Sequence, residues 1–149
     1  MSRGADFEAK LARMYRHLGY RVERTQASND HGADLLLTKH GRTIAVQAKS
    51  YAKPVGNKAV QEAFAAQAYY GTRAAWVVTD STFTAGAIAQ AEPCGVRLID
   101  GADLRALRRK ARRRRWLPVF GALACAALLA YCVLNPQGVV QLASWAQAR

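Results

Sequence analysis

Cysteine is scarce, with three in 149 residues. Cys94 stands apart and Cys125 and Cys132 fall within an apolar run, so no spacing suggests a disulfide framework or a zinc site. Acidic residues are also few, 10 against 22 lysines and arginines, for a formal charge of +12. The shortage is local. Through Leu104 the signs nearly balance, 13 basic against 10 acidic, whereas RALRRKARRRRW, Arg105 to Trp116, holds eight basic residues and no acid. The excess is therefore one block that has to be read with its neighbours, and the chain before it is only mildly basic. An apolar core is missing from the N-terminal stretch MSRGADFEAKLARMYRHLGY, which Asp6, Glu8 and several basic residues interrupt, so it does not read as a secretory signal. No internal repeat or low-complexity linker precedes the basic block, and 51% hydrophobic content excludes a disordered chain.

Charge is absent altogether from LPVFGALACAALLAYCVL, Leu117 to Leu134, 18 residues that follow the basic block directly. A helix of that length crosses a hydrocarbon core of roughly 30 Å at about 1.5 Å per residue. The expectation is a single transmembrane helix, with Pro118 in its first turn where proline is tolerated. The arginines beside it favour anionic lipids. By the positive-inside rule they keep the N-terminal domain in the cytoplasm of a bacterial-type inner membrane and put the tail, 135–149, outside. Ala122, Ala126 and Ala130 form a small-xxx-small stripe that suits helix association, hence a homo-oligomer. The expected division is a domain at 1–104, a basic juxtamembrane helix at 105–116, the span at 117–134 and the tail.

What is present in the domain alternates between helix and strand. The first stretch places Phe7, Leu11, Met14, Tyr15 and Leu18 on one helical stripe that ends near Gly19. RVERT is a short strand and SNDHG a turn; ADLLLTKHG and RTIAVQAKS form a hairpin about His40 and Gly41. NKAVQEAFAAQAYYG is helical, with Val60, Phe64 and Ala68 as its apolar stripe and Gly71 as its stop. AAWVVTD is apolar on both faces, which predicts a central strand covered by helices. FTAGAIAQAEPCG, VRLID and ADLRALRRK follow as helix, strand and helix. The order αβββαβαβα predicts an α/β sandwich around a mixed sheet.

In TIAVQAKS, Gln47 and Lys49 are two apart and share one strand face. The hairpin lays Asp34 beside them. A phosphodiester hydrolase must offset charge on the scissile phosphate and make a water nucleophilic, and a divalent cation held by oxygen ligands serves both ends. Asp34 offers a carboxylate, Gln47 a neutral carbonyl oxygen, and Lys49 a cation for developing negative charge. Glu8, one position off the stripe of the first helix, could add a second carboxylate. Tyr51 and Lys53, just past Lys49, could meet a phosphate backbone. His17 and His40 read as surface residues, His31 lies closer to Asp34, and Asp30 reads as turn chemistry. Tyr69, Tyr70 and Trp76 read as packing.

An aspartate followed by a strand carrying (Asp, Glu or Gln)-x-Lys resembles the PD-(D/E)XK nuclease signature. The run from Phe7 to Leu107 resembles the Mrr-like catalytic domain of type IV restriction endonucleases. The likeness rests on FE at Phe7, LGY at Leu18, NDHGADLLL around Asp34, VQAKSY around Gln47 and Lys49, PVG at Pro54, VQEAF at Val60, VVTDSTFT at Val77 and LIDGADL at Leu98. It implies a restriction-endonuclease-like three-layer sandwich and a Mg²⁺-dependent DNA endonuclease, with Mn²⁺ able to substitute. Asp34, Gln47, Lys49 and Glu8 would be its catalytic residues, Asp34 and Gln47 its metal ligands, and DNA its partner. Two departures from that pattern are expected: these 149 residues leave no room for the separate recognition module of members that restrict modified DNA, and the apolar helix is foreign to the catalytic domain. The competing readings are a catalytically weak DNA-binding domain of the same fold and a membrane assembly protein.

Overall fold

A computed structural model describes residues 3–25 and 32–134, apart from the side chains of 117, 118 and 120. Asp30 and His31, expected in a turn, and the tail 135–149 lie outside the described residues. The elements are α1 (Arg3–His17), β1 (Arg21–Arg24), β2 (Leu35–Lys39), β3 (Arg42–Lys49), α2 (Asn57–Tyr69), β4 (Ala74–Thr79), α3 (Ala85–Ala91), β5 (Val96–Ile99) and α4 (Gly101–Leu134). This is the expected order. The strands form one sheet in the order β1-β2-β3-β4-β5. The first three are antiparallel, and β3, β4 and β5 are parallel.

The β2–β3 hairpin follows from local chemistry. His40 and Gly41 have φ of 50° and 72°, the left-handed pair that a two-residue turn matching strand twist requires. The turn fixes the register, with Leu35 opposite Val46 and Leu37 opposite Ile44. Side-chain alternation then sorts the sheet into two faces. Leu35, Leu37, Val46, Val78 and Ile99 pack with Phe7, Leu11 and Tyr15 of α1, with Leu18 just after it, and with Leu104, Leu107 and Ala111 of α4. On the other face, Ala75, Val77 and Val96 pack with Val60 and Ala63 of α2 and Ala87 and Ala91 of α3. A third contact, Ala33, Ala45 and Ala66, seats α2 on β3 through methyl groups. Helices cover both faces, as the two-sided apolar pattern of β4 predicts.

Three details differ from the sequence expectation. The buried stripe of α2 is Ala59, Val60, Ala63 and Ala66, and Phe64 is exposed. The domain does not end at Leu104: Leu104 and Ala111 are buried with Leu107 between them, and the compact unit runs to Arg112. Finally, α4 is continuous from Gly101 to Leu134, so Pro118 lies well inside a helix rather than in its first turn. The helix starts firmly, because Asp100 Oδ1 accepts from the amides of Ala102 (2.7 Å) and Asp103 (2.9 Å), and the arginines and alanines that follow are good helix formers. By length and composition α4 is apolar enough to cross a membrane. Its eight basic residues between Arg105 and Arg115 are exposed, as are Leu123, Leu128, Leu129 and Val133.

Candidate active site

Asp34 stands one residue before β2, and its amide donates to the Val46 carbonyl at 2.8 Å, which extends the antiparallel register by one step. That step sets Asp34 opposite Gln47. Gln47 has the parity of Ala45, and Asp34 that of Leu36, so both face the α2 side of the sheet. The two side chains meet there. Gln47 Nε2 and the Ala48 amide both donate to Asp34 Oδ2, each at 2.6 Å. The first bond fixes the amide's orientation, since a flipped Gln47 would set two acceptors against each other. Its other atom, Oε1, is then left without a hydrogen-bond partner among the described residues, although Gln47 is only 2% exposed. An acceptor buried without a partner costs about 1–3 kcal/mol, so this atom is suited to a ligand.

Lys49, two residues on, faces the same way and pairs with Glu62 of α2, Nζ to Oε2 at 2.8 Å. Burial by itself would lower the Lys49 ammonium. The hydrogen bond and charge of Glu62, with smaller help from Tyr51 and Asp34, more than reverse this and hold it above the ordinary lysine value. Lys49 therefore remains a cation. Sequence pattern alone does not single out Glu62, although it stands inside the VQEAF stretch. The second turn of α2 is also where the Asp34 segment rests: Gly32, at φ +83°, lies so close to the Glu62 backbone carbonyl that a Cβ there would overlap it.

Asp34, Gln47 and Lys49 are thus brought together as expected. Glu8 is not brought into that group. Its carboxylate accepts from Arg24 Nη2 at 3.0 Å, and α1 packs on the face of the sheet opposite Gln47 and Lys49. Arg24 nonetheless pairs with Leu35 in register, and Thr25 N donates to the Asp34 carbonyl, so Glu8 belongs to the same end of the sheet. Tyr51 is exposed, and its phenol acts electrostatically on Lys49, which puts it at the border of the site. Lys53 is exposed two residues further on. At the end of β4, Asp80 accepts from Ser50 Oγ at 2.7 Å and closes the next strand over. Tyr69 and Tyr70 pack edge to face on each other, and Trp76 packs with Tyr15 and Tyr20 on the α1 face.

Residues 1–108 match the restriction endonuclease family Mrr_cat. The chain belongs to this family. Among solved structures, it is similar to the DNA modification-dependent restriction endonuclease AspBHI, with 23% identity and a TM-score of 0.57 over 78% of this chain and 35% of that one. It is also similar to the MspJI restriction endonuclease, solved with a 27-mer oligonucleotide, at 23% identity and a TM-score of 0.55 over 73% and 28%. A protein of unknown function, AF1548, shares 18% identity and a TM-score of 0.54 over 62% and 55%. These likenesses concern the fold, which is the expected restriction-endonuclease-like α/β sandwich. The chain spans about half the length of AF1548 and roughly a third of the two enzymes. No curated protein matches. The expected class, a nuclease of the restriction-endonuclease kind, is the class to which the Mrr_cat family assigns residues 1–108, a range that contains every residue of the site just described.

Proposed function

We propose that this chain is a divalent-metal-dependent endonuclease that hydrolyses phosphodiester bonds in DNA, and that α4 anchors it in a membrane with the domain on the cytoplasmic side. The observation that carries the catalytic half is the buried Gln47 Oε1, without a hydrogen-bond partner among the described residues, beside the Asp34 carboxylate.

The residues fit an ion of the magnesium type. Mg²⁺ keeps most of its waters and needs only one or two protein oxygens plus substrate phosphate, and Asp34 and Gln47 supply a carboxylate and a carbonyl. No group of three His, Cys, Asp or Glu side chains able to hold an ion occurs among the described residues. This favours a weakly held, water-rich Mg²⁺ or Mn²⁺ over zinc. A bound ion would polarise the scissile phosphate and lower the pKa of a coordinated water.

The chain's own groups do the rest. The Ala48 amide and the Gln47 amide aim the Asp34 carboxylate, so that it is oriented before any ligand arrives. Lys49, kept cationic, stabilises negative charge as the phosphorus gains its fifth oxygen. Tyr51 and Lys53, both exposed and just past Lys49 in sequence, would offer contacts to a phosphate backbone. If Arg24 turns to a DNA phosphate, Glu8 is released and can bring a second carboxylate.

Anchoring is supported by the continuity of α4 through the basic block into the apolar segment. Incubating the chain with supercoiled plasmid, with and without Mg²⁺, tests the catalytic reading. Nicking that requires the ion is expected; tight binding without any nicking in Mg²⁺ or Mn²⁺ would assign the chain to DNA binding alone.

A further inference from the structure

We infer that Glu62 is a positioning residue of the site, holding the Lys49 ammonium in place until an oxygen of the scissile phosphate replaces the carboxylate. The inference rests on the nuclease reading above and adds to it a residue from a separate element.

The pair is short and sheltered. Lys49 Nζ and Glu62 Oε2 are 2.8 Å apart, and the side chains are 20% and 27% exposed. Lys58 approaches the other carboxylate oxygen only to 3.9 Å and is 89% exposed, so Lys49 is the principal partner. α2 has no packing need for an acid at this point, because its buried contacts are Ala59, Val60, Ala63 and Ala66. What the acid does is restrain a lysine, whose flexible four-carbon stem would otherwise sample many directions. Glu62 is itself held from two sides. Ala66, one turn on, sits against Ala33 and Ala45, and the Glu62 carbonyl is the seat for Gly32, two residues from Asp34. One turn of α2 therefore fixes both the cation and the segment that carries the metal-binding carboxylate. A carboxylate oxygen and a non-bridging phosphate oxygen are both anionic acceptors for an ammonium, so the exchange on substrate binding preserves a charge-assisted hydrogen bond.

The test is plasmid nicking by the full chain in detergent micelles with Mg²⁺. Glu62→Ala should lower kcat roughly 10–100-fold, the scale for loosening a catalytic group, with little change in KM. Glu62→Gln keeps an acceptor oxygen and should recover most of the loss. In the Glu62→Ala/Lys49→Ala double variant, turnover should be no lower than in Lys49→Ala, because residues acting as a unit are not additive. If Glu62→Ala does not fold, Glu62→Met, which keeps the length of the side chain but no acceptor oxygen, takes its place in both comparisons. Independent multiplication of the two losses, wild-type turnover in Glu62→Ala, or Glu62→Gln as slow as Glu62→Ala overturns the inference while leaving the nuclease reading intact. An unmodified chain that never nicks overturns both.

Discussion

Asp34 and Gln47 are joined across the β2–β3 pair by a 2.6 Å hydrogen bond in which the neutral amide donates to the acid. Glutamate at position 47 would set a second carboxylate against Asp34 Oδ2 instead. Gln47→Glu should therefore destabilise the metal-free chain while tightening its hold on Mg²⁺. Each kcal/mol lost corresponds to a fall in Tm of roughly 4–8 °C for a domain of this size. Thermal melts with and without the ion check both halves: a variant whose Tm without metal equals that of the unmodified chain contradicts the like-charge argument.

Lys49→Ala should leave Mg²⁺ binding in place, since an ammonium is no ligand, and cut turnover by about 10²–10³, the cost of deleting one electrostatic stabiliser. Asp34→Ala should lose metal binding and cleavage together. Calorimetric titration with Mg²⁺ alongside plasmid nicking separates the two variants.

The trio was legible before the fold because it depends on two short-range rules. Strand parity puts Gln47 and Lys49 on one face, and a two-residue turn at His40 and Gly41 fixes which residue opposes which. Glu62 was not legible, for a reason of helix phase. Taking Val60, Phe64 and Ala68 as the buried stripe of α2 points position 62 away from the sheet. The observed stripe includes Ala59 and Ala66, three before and four after Glu62, which brings the acid to the sheet side. The large Phe64 outweighed the small alanines in the sequence, yet only small residues let the helix sit close to β3. The end of the domain is hidden in a similar way: arginines mask the spacing of Leu104, Leu107 and Ala111 that continues the core into α4.

That spacing gives a test of the boundary. A fragment ending at Leu104 removes Leu107 and Ala111 from the core, whereas one ending at Arg112 keeps them. The longer fragment should fold and the shorter should be markedly less stable, because it loses the partly buried Leu107, the buried Ala111 and the helix that holds Leu104 in the core, where loss of a fully buried leucine would cost about 2–5 kcal/mol. Equal Tm values for the two by circular dichroism would show that α4 adds nothing to the domain.

Gly32→Ala should impair the site without touching a catalytic group. The added methyl would overlap the Glu62 carbonyl, and φ of +83° is strained for alanine. The expected result is a loss of Mg²⁺ affinity, as the Asp34 segment shifts, together with slower nicking; unchanged affinity means the segment adjusts freely.

Tyr15 supplies a prediction about alkali. Its hydroxyl is buried with no hydrogen-bond partner among the described residues, and burial, then Tyr20, push the phenol well above the ordinary tyrosine value, with Arg97 opposing. The unfolded chain loses this proton near pH 10, while the folded one keeps it to higher pH. The unfolded state therefore binds fewer protons in that interval, and stability falls as pH rises above 10. Tyr15→Phe should remove that slope, and at neutral pH it should be neutral or stabilising by about 1 kcal/mol, since nothing is left unpaired. Denaturant midpoints at about pH 7 and about pH 10.5, either side of the ordinary tyrosine value, make the comparison.

The contact of Ala33, Ala45 and Ala66 has a further meaning for how activity could be tuned. Three methyl groups act as a shim between α2 and β3, so side-chain volume at these positions sets how far Glu62 stands from Lys49. Ala66→Val would thicken the shim and lengthen that separation by degrees. Turnover then becomes a graded property of core volume, adjustable at a position that touches neither ion nor DNA.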